Sequence, residues 1–151
     1  MSVQYKLNHF IEAQDFLYPQ VLLELKEGKK KTHWMWFVFP QILGLGTSNM
    51  SVRYGLRSVE HARAYFEHPL LGARLLECAG LLELHLNKTA YEIFGTPDDL
   101  KLHSSITLFS LVTESGSIFH RLLRQFFDAK LDRNTEKALG FNEACSYQKR
   151  W

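Results

Sequence analysis

The residue types best suited to ligand binding are concentrated between positions 29 and 54 of the sequence. Trp34 and Trp36 have rings large enough to stack on a planar base, and His33 and Gln41 add hydrogen-bonding groups within the same short stretch. Core filling is the commoner use of either tryptophan taken alone. Together, these four residues favour an aromatic ligand site with polar groups beside the rings.

A glycine-containing loop, GLGTS, follows these aromatic residues. The backbone N–H groups of Gly44 and Gly46 and the hydroxyl of Ser48 are suited to hold an anion, with the dipole of a following helix in support. Arg53 adds a planar fork of donors that fits a phosphate or a carboxylate, and the neighbouring Tyr54 is a further candidate ligand-binding residue. The loop matches neither a Walker A loop nor a dinucleotide-binding fingerprint, so a plain glycine turn is the alternative interpretation.

A second group of candidate ligand-binding residues lies between positions 98 and 107. Lys101 is a further cation, and Ser104 and Ser105 place hydroxyls in an otherwise apolar helix. These hydroxyls either line a pocket or bond back to the helix backbone and permit close packing. Asp98 and Asp99 have a structural explanation as acidic residues in the first turn of a helix. We expect the lysine and the two serines to complete the site formed by the earlier segment.

Glu12 and His33 are the residues whose chemistry best fits a general acid–base pair, provided that folding brings them together. The seven histidines are scattered and form no HExxH motif. Cys78 and Cys145 form neither a CxxC pair nor a zinc-ligand spacing with histidine. The sequence therefore predicts no metal site and no cofactor. Cys78 falls in an apolar helical pattern and is predicted to be a buried free thiol.

Length and composition indicate one globular domain. Of the 151 residues, 46% are hydrophobic and 23% are charged, as in ordinary folded proteins. The formal net charge of +2 is small for a duplex-binding protein, which gains affinity by neutralising many phosphates. No run approaches the length of a membrane span, and the N-terminus carries Glu12 and Asp15 where a signal peptide has an apolar core. These features predict a cytoplasmic protein that binds neither membrane nor duplex DNA.

The elements that must position the candidate residues are predicted to be helices. Ser58 and Thr96 are expected N-caps, and Thr89 with Glu92 forms a capping box. Pro97 is expected in the first helical position after Thr96, where its fixed φ suits a helix start. Apolar residues follow these caps at three- or four-residue spacing, which is the pattern of a helix with one buried face. In the helix predicted after Pro69, the residues of this stripe are Leu71, Leu75, Cys78, Leu82 and Leu86.

The fold is therefore predicted to be all-α, a compact multihelical single domain over residues 1–140. Two shorter helical stretches are expected in the first half of the chain. Leu7, Phe10 and Ile11 begin one, and Val21, Leu22 and Leu25 mark the other, which ends at Gly28. A proline and two glycines interrupt any long helix within residues 29–54, which predicts an irregular central crossing with short helical turns. Residues 141–151 are expected to form a frayed C-terminal tail.

Blocks of residues in both halves of the chain resemble a known family. The first-half positions are Glu12, Ala13, Gln14, Tyr18, His33, Trp34, Met35, Trp36, Phe37, Phe39, Pro40, Gln41, Gly44, Leu45, Gly46, Ser48, Met50, Arg53 and Tyr54. The second-half positions are His68, Pro69, Leu71, Gly72, Arg74, Leu75, Gly95, Pro97, Asp98, Asp99, Leu100, Lys101, Leu102, Ser104, Ser105, Thr107, Leu108 and Phe109. Over residues 10–127 the chain resembles the bacterial domain of unknown function 1810. The resemblance implies a mostly helical single domain and supplies no established activity.

The leading functional interpretation is a small-ligand site, formed by residues 33–54 with residues 98–107, for a nucleotide-like or phosphate-bearing molecule. An enzyme built on this site would hydrolyse the N-glycosidic bond of a nucleotide or an ADP-ribose derivative, with Glu12 as acid or base and Trp34 holding the ring. A non-catalytic protein–protein interaction module with aromatic anchors is the alternative. Single-stranded nucleic-acid binding, which would combine residues 29–31 with the tryptophans, is the third interpretation.

Overall fold

Nine α-helices account for most of the chain that the computed structural model describes, which is residues 5–140. They are α1 (Asn8–Glu27), α2 (Met35–Val38), α3 (Asn49–Arg53), α4 (Val59–Glu67), α5 (Pro69–Glu83), α6 (Ala90–Phe94), α7 (Asp98–Ser110), α8 (Ile118–Phe127) and α9 (Arg133–Ala138). The predicted all-α class is confirmed, and no sheet forms in the described range. None of these helices is long and apolar enough to cross a bilayer. The predicted tail, residues 141–151, lies outside the described residues.

The first helix corrects the expectation of two short stretches near the N-terminus. α1 runs without a break through Pro19 and ends at Gly28, whose φ of 71° is left-handed. Pro19 lies on the exposed face, where water can solvate the carbonyl that loses its intrahelical donor. The buried residues of α1 recur along its whole length and are Phe10, Gln14, Val21, Glu24 and Leu25. Packing of this one face outweighs the local cost of the proline.

The long helix α5 packs against α1, α4 and α8 and contributes much of the core. Its predicted apolar stripe is buried at Leu71, Leu75, Cys78 and Leu82. Leu86, the last residue of the predicted stripe, is exposed because α5 has already ended. Cys78 is a free thiol, as predicted, and burial raises its pKa to about 12. The thiol therefore stays protonated at neutral pH and serves as part of the core.

Two of the predicted helix starts are confirmed and one is wrong. The hydroxyl of Ser58 accepts a first-turn backbone N–H of α4 at 3.0 Å. Thr89 and Glu92 form both bonds of the capping box, at 3.0 and 2.9 Å. Thr96 is not an N-cap, because α7 begins one residue later than expected and Pro97 occupies the N-cap position without a side-chain bond.

The predicted irregular crossing lies between α1 and α4 and gives the site its frame. After α2 the chain reaches Ile42, which forms an isolated parallel bridge with Leu56. The N–H of Leu43 donates to the Leu56 carbonyl at 2.7 Å, and the N–H of Leu56 donates to the Gln41 carbonyl at 2.8 Å. These bonds join the chain before and after α3, so that residues 43–56 form a closed loop that carries this short helix.

Candidate functional site

The crossing segment and α7 enclose a cavity of about 220 Å³, which we call the amide cavity after the Gln41 side chain in its wall. Residues that were predicted to bind a ligand line much of it: Trp36, Gln41, Gly46, Tyr54 and Lys101. Further lining residues, which the sequence did not single out, are Ile42, Leu45, Ser51 and Gly55. The structure therefore places much of the predicted segment and the predicted lysine of α7 around one space.

Gln41 is the polar group that distinguishes this wall. Gln41 is only 9% exposed, and its Nε2 donates to no acceptor among the described residues. A buried donor without a partner costs about 1–3 kcal/mol. Such groups are rare in folded proteins and call for an explanation. A carbonyl oxygen, ring nitrogen or phosphate oxygen of a ligand would relieve the cost.

Two lysines and one aspartate form a charged cluster beside Trp36. Nζ of Lys101 lies 4.0 Å from the centroid of the Trp36 ring and 3.2 Å from Oδ1 of Asp98. Nζ of Lys30 lies 2.8 Å from Oδ2 of the same carboxylate. Burial raises the pKa of Asp98, but the bonds and charges of Lys30 and Lys101 bring it below its ordinary value. The carboxylate is therefore ionised at neutral pH, and the cluster carries a net charge of +1 that favours an anionic or electron-rich ligand.

Gly55 lines the cavity at a position that excludes a larger residue. A methyl group on its Cα would lie 2.8 Å from Cδ1 of Leu43 and 2.8 Å from the carbonyl oxygen of Ser51. Both distances are shorter than a normal carbon contact. The backbone behind the wall is therefore closely packed. The sequence did not predict four lining residues, Ile42, Leu45, Ser51 and Gly55. Their residue types do not indicate a binding site, and only their closeness to Gln41 and Gly46 in the sequence could have suggested one.

Arg53 lines a second cavity, of about 260 Å³, instead of the amide cavity. The other lining residues of this second cavity, which we call the basic pocket, are Lys6, His9, Gly55, Arg57 and His61. Nε of Arg53 donates to the hydroxyl of Tyr54 at 3.2 Å. Because Tyr54 lines the amide cavity and Gly55 lines both, the two cavities are neighbours.

Comparison with known proteins assigns a family. Residues 4–139 match the family model described as Protein of unknown function (DUF1810). The chain belongs to the DUF1810 family. This confirms the resemblance seen in the sequence. The structure is also similar to the crystal structure of the conserved hypothetical protein Rv1873 from Mycobacterium tuberculosis, at 47% sequence identity and a TM-score of 0.86, covering 89% of this chain and 96% of that one. A search of curated proteins gave no match.

Trp34 of this DUF1810 protein belongs to the core, which corrects its predicted role as a stacking residue. It is 0% exposed, and its Nε1 donates to Oε1 of Glu24 at 2.9 Å. The same carboxylate accepts bonds from the Gln20 amide, the Lys31 backbone N–H, and the backbone N–H and hydroxyl of Thr32. This network fixes the turn between α1 and α2. A ligand ring cannot reach Trp34 without disrupting it.

The glycine-containing loop does not come together as the predicted anion site. Gly44 is an exposed turn residue with a φ of 105°. The hydroxyl of Ser48 accepts the backbone N–H of Ser51 at 3.2 Å and so caps α3. With five residues, α3 is too short for a substantial dipole. Of the three predicted loop residues, Gly46 lines the amide cavity, whereas Gly44 and Ser48 do not.

Ser104 and Ser105 are buried within the packing of α7 in this DUF1810 protein, which corrects their predicted place in the site. The hydroxyl of Ser104 donates to Oδ2 of Asp132 at 2.8 Å, and Asp132 is the N-cap of α9. Ser105 is fully buried, and its hydroxyl has no partner among the described residues. Neither serine lines the amide cavity or the basic pocket. Lys101 is the predicted α7 residue that reaches the site.

Glu12 and His33 are not brought together as an acid–base pair. The bond from Trp34 to Glu24 holds the neighbouring His33 near the end of α1. Glu12 lies about 18 Å earlier along the helix axis, at a rise of 1.5 Å per residue. Both side chains are exposed, and neither lines the two cavities. The histidine that Glu12 influences electrostatically is His9, one helical turn away. The described part of the chain contains no cluster of three or more potential metal-binding side chains.

Proposed function

We propose that the amide cavity binds the planar, polar ring of a small nucleotide-like molecule. The observation that carries this proposal is the buried Nε2 of Gln41, which has no acceptor among the described residues. A primary amide offers a donor and an acceptor side by side, and in this way glutamine pairs with the edge of adenine. An apolar side chain of similar shape would fill the same space at lower cost to folding. The presence of an amide at this position therefore supports ligand recognition.

The size of the amide cavity supports one ring system and not a whole nucleotide. Its volume of about 220 Å³ is below the roughly 300–1,000 Å³ of sites that enclose complete drug-sized ligands. The half-buried indole of Trp36 and the side chains of Ile42 and Leu45 provide apolar surface for a ring. The sugar and phosphate of such a ligand would extend beyond this cavity.

The two competing interpretations of the sequence both need accessible tryptophan rings. Trp34 is fully buried, and Trp36 is half-buried with the Lys101 ammonium over its ring. An interface anchored by an exposed aromatic face, or a strand of nucleic acid stacked on both rings, fits this arrangement poorly. The burial of the rings therefore favours a small ligand over either.

Hydrolysis of an N-glycosidic bond has less support than binding alone. Glycosidic cleavage develops positive charge on the sugar, which a nearby carboxylate stabilises. Asp98 lies beside the cavity, but it does not line it, and Lys30 and Lys101 occupy its two oxygens, so that the cluster stays net positive. Glu12 lies away from the cavity. Chromatographic detection of free base released from a bound nucleotide would distinguish hydrolysis from binding alone.

The binding proposal is tested with a thermal-shift screen of nucleosides, nucleotides, NAD derivatives and sugar phosphates, followed by calorimetric titration of the best ligand. We expect Gln41→Met to weaken binding about tenfold or more, because the ligand acceptor is left unpaired. The unliganded variant should keep the melting temperature of the parent.

Gln125→Met is the matched control for that titration. The Gln125 amide donates to the carbonyls of Glu83 and His85 at 3.3 and 3.2 Å, and it does not line the amide cavity. This variant should lose stability and keep its ligand affinity, the reverse of Gln41→Met. The proposal fails if no compound shifts the melting temperature, or if the best ligand binds Gln41→Met as tightly as the parent.

A further inference from the structure

The basic pocket gathers three permanent cations from two stretches of the chain, one at Lys6 and one that contains both Arg53 and Arg57. Lys6 precedes α1, Arg53 ends α3, and Arg57 precedes α4. Among the described residues, none of the three has a carboxylate within ion-pair distance, whereas Lys30, like Lys101, is paired with an aspartate. Within residues 5–140, no acidic side chain lines the pocket. The three positive charges therefore face one concave space without a countercharge from the described part of the protein.

The three cations are exposed, so water screens their mutual repulsion, and an anion bound in the space of about 260 Å³ would be attracted by all three. Two of the cations are guanidinium groups, whose planar forks match the oxygen geometry of a phosphate. A phosphoryl group carries up to two negative charges and three acceptor oxygens. The pocket thus has the charge and the donor types that a phosphoryl group requires.

His61 is a positioning residue that holds this pocket together. Its Nδ1 accepts the backbone N–H of Arg57 at 3.0 Å, and its Nε2 donates to the backbone carbonyl of Lys6 at 3.0 Å. These two bonds require the neutral ring, and the ring of Tyr5 stacks on it with centroids 5.3 Å apart. The same side chain therefore fixes the backbone at Lys6 and at Arg57, the positions from which these two cations extend.

His9 gives the pocket a titratable group beside the permanent cations. Its ring stacks on that of Tyr54 with centroids 5.7 Å apart. Burial lowers the pKa of His9 most, and the nearby Arg53 and His61 lower it further, whereas Glu12 raises it. A bound anion would offset both the repulsion and the loss of the charged form.

We infer that the basic pocket is the phosphoryl-binding subsite of the ligand, and that the ligand is a nucleoside monophosphate with its base in the amide cavity. This inference rests on the proposed function of the amide cavity. Gly55 belongs to both walls. The amide cavity is too small to hold the phosphate together with the base. The chain thus divides recognition between an amide that reads the ring and cations that hold the phosphate.

The test is calorimetric titration of the full chain with the common ribonucleosides, the corresponding 5′-monophosphates and inorganic phosphate. In the parent, a monophosphate should bind at least about tenfold tighter than its nucleoside, and the difference should shrink as salt is added. Arg57→Gln should weaken monophosphate binding about ten- to hundredfold and leave nucleoside binding unchanged. Lys6→Gln should act in the same direction, with its backbone bond to His61 intact.

Arg63→Gln is the matched control, since Arg63 is an exposed residue of α4 that lines neither cavity. It should bind every probe as the parent does. Equal affinities for nucleoside and monophosphate, unaffected by Arg57→Gln, overturn the subsite and leave the proposed function standing. Arg57-dependent binding of inorganic phosphate with no nucleoside binding overturns the proposed function and, with it, the shared ligand. Loss of stability without loss of affinity in Arg57→Gln and Lys6→Gln would show these cations to be structural, which also overturns the inference.

Discussion

Two buried glutamines with opposite surroundings distinguish the structural interior of this protein from its candidate site. Gln14 on α1 is 1% exposed, and Nε2 donates to the Phe37 carbonyl at 2.6 Å and to the Tyr65 hydroxyl at 2.9 Å. Its Oε1 accepts from Nη1 of Arg74 at 3.2 Å. Gln41 is 9% exposed, and its Nε2 has no partner among the described residues. The same amide is fully bonded in one place and unpaired in the other.

The neighbourhood of each glutamine follows the same contrast. α1 also buries Glu24, whose carboxylate accepts bonds from four residues around the α1–α2 turn. The wall around Gln41 combines an unpaired amide with a half-buried tryptophan and a lysine. The two buried polar side chains of α1 therefore make their hydrogen bonds within the fold. The amide cavity instead keeps hydrogen-bonding capacity that the protein does not use itself, which is what recognition of another molecule requires.

The largest effect should come from Glu24, which represents the fully bonded side of the comparison. Burial raises the pKa of Glu24, but bonds from Lys31, Gln20, Thr32 and Trp34 lower it from 4.5 to about 2. Because the folded pKa is depressed, the stabilisation is present above pH 4.5 and is lost as the pH falls towards 2. Its size is about 3 kcal/mol. Glu24→Gln should be less stable by about this amount at pH 7, in the free energy of unfolding measured with urea.

The pH profile of that variant provides the control. Between pH 4.5 and 2 the parent should lose stability more steeply than Glu24→Gln, because the variant has no carboxylate to protonate. Parallel profiles for the two proteins would show that Glu24 is not held ionised by its network. Glu24 would then no longer serve as an example of a buried polar group that stabilises the fold through its bonds.

A smaller loss is expected from Gln14→Met. The substitution removes the acceptor of Arg74 and the donor to Phe37 and Tyr65, and each buried group left unpaired costs about 1–3 kcal/mol. Urea unfolding at pH 7 should therefore give a stability lower by at least about 1 kcal/mol. Unchanged stability would mean that full bonding of this amide contributes little, and the contrast between the two glutamines would lose its energetic meaning.

The smallest effect on folding should come from Gln41→Met, the same substitution at the other glutamine. No bond to a described residue is broken, so the free energy of unfolding should stay within about 0.5 kcal/mol of the parent or increase. Measured beside Gln14→Met, it compares an identical chemical change at a bonded and at an unbonded amide. A loss as large as that of Gln14→Met would give Gln41 a structural role and remove the main support for ligand binding.

Local signals in the sequence determined the helices well. The Ser58 cap and the Thr89–Glu92 box depend on bonds between residues three apart, so the residues that form them are visible in one short stretch. The same locality explains the error at Thr96, where a shift of one residue in the helix start moved the cap. The sequence instead predicted two helical stretches where α1 is continuous, because the buried face that joins them is formed by packing against distant helices.

The candidate site shows where sequence alone stops. It predicted that residues 33–54 and Lys101 would meet, and the amide cavity gathers five of the predicted residues. It could not decide that Trp34 turns to Glu24 and the core while Trp36 turns to the cavity, because positions two apart on a helix face different sides. Nor could it assemble the basic pocket, whose cations come from separated stretches. Helix caps depend on neighbours in the chain, whereas an unpaired amide or an unneutralised cation is defined by the distant residues that surround it, and only tertiary packing decides those.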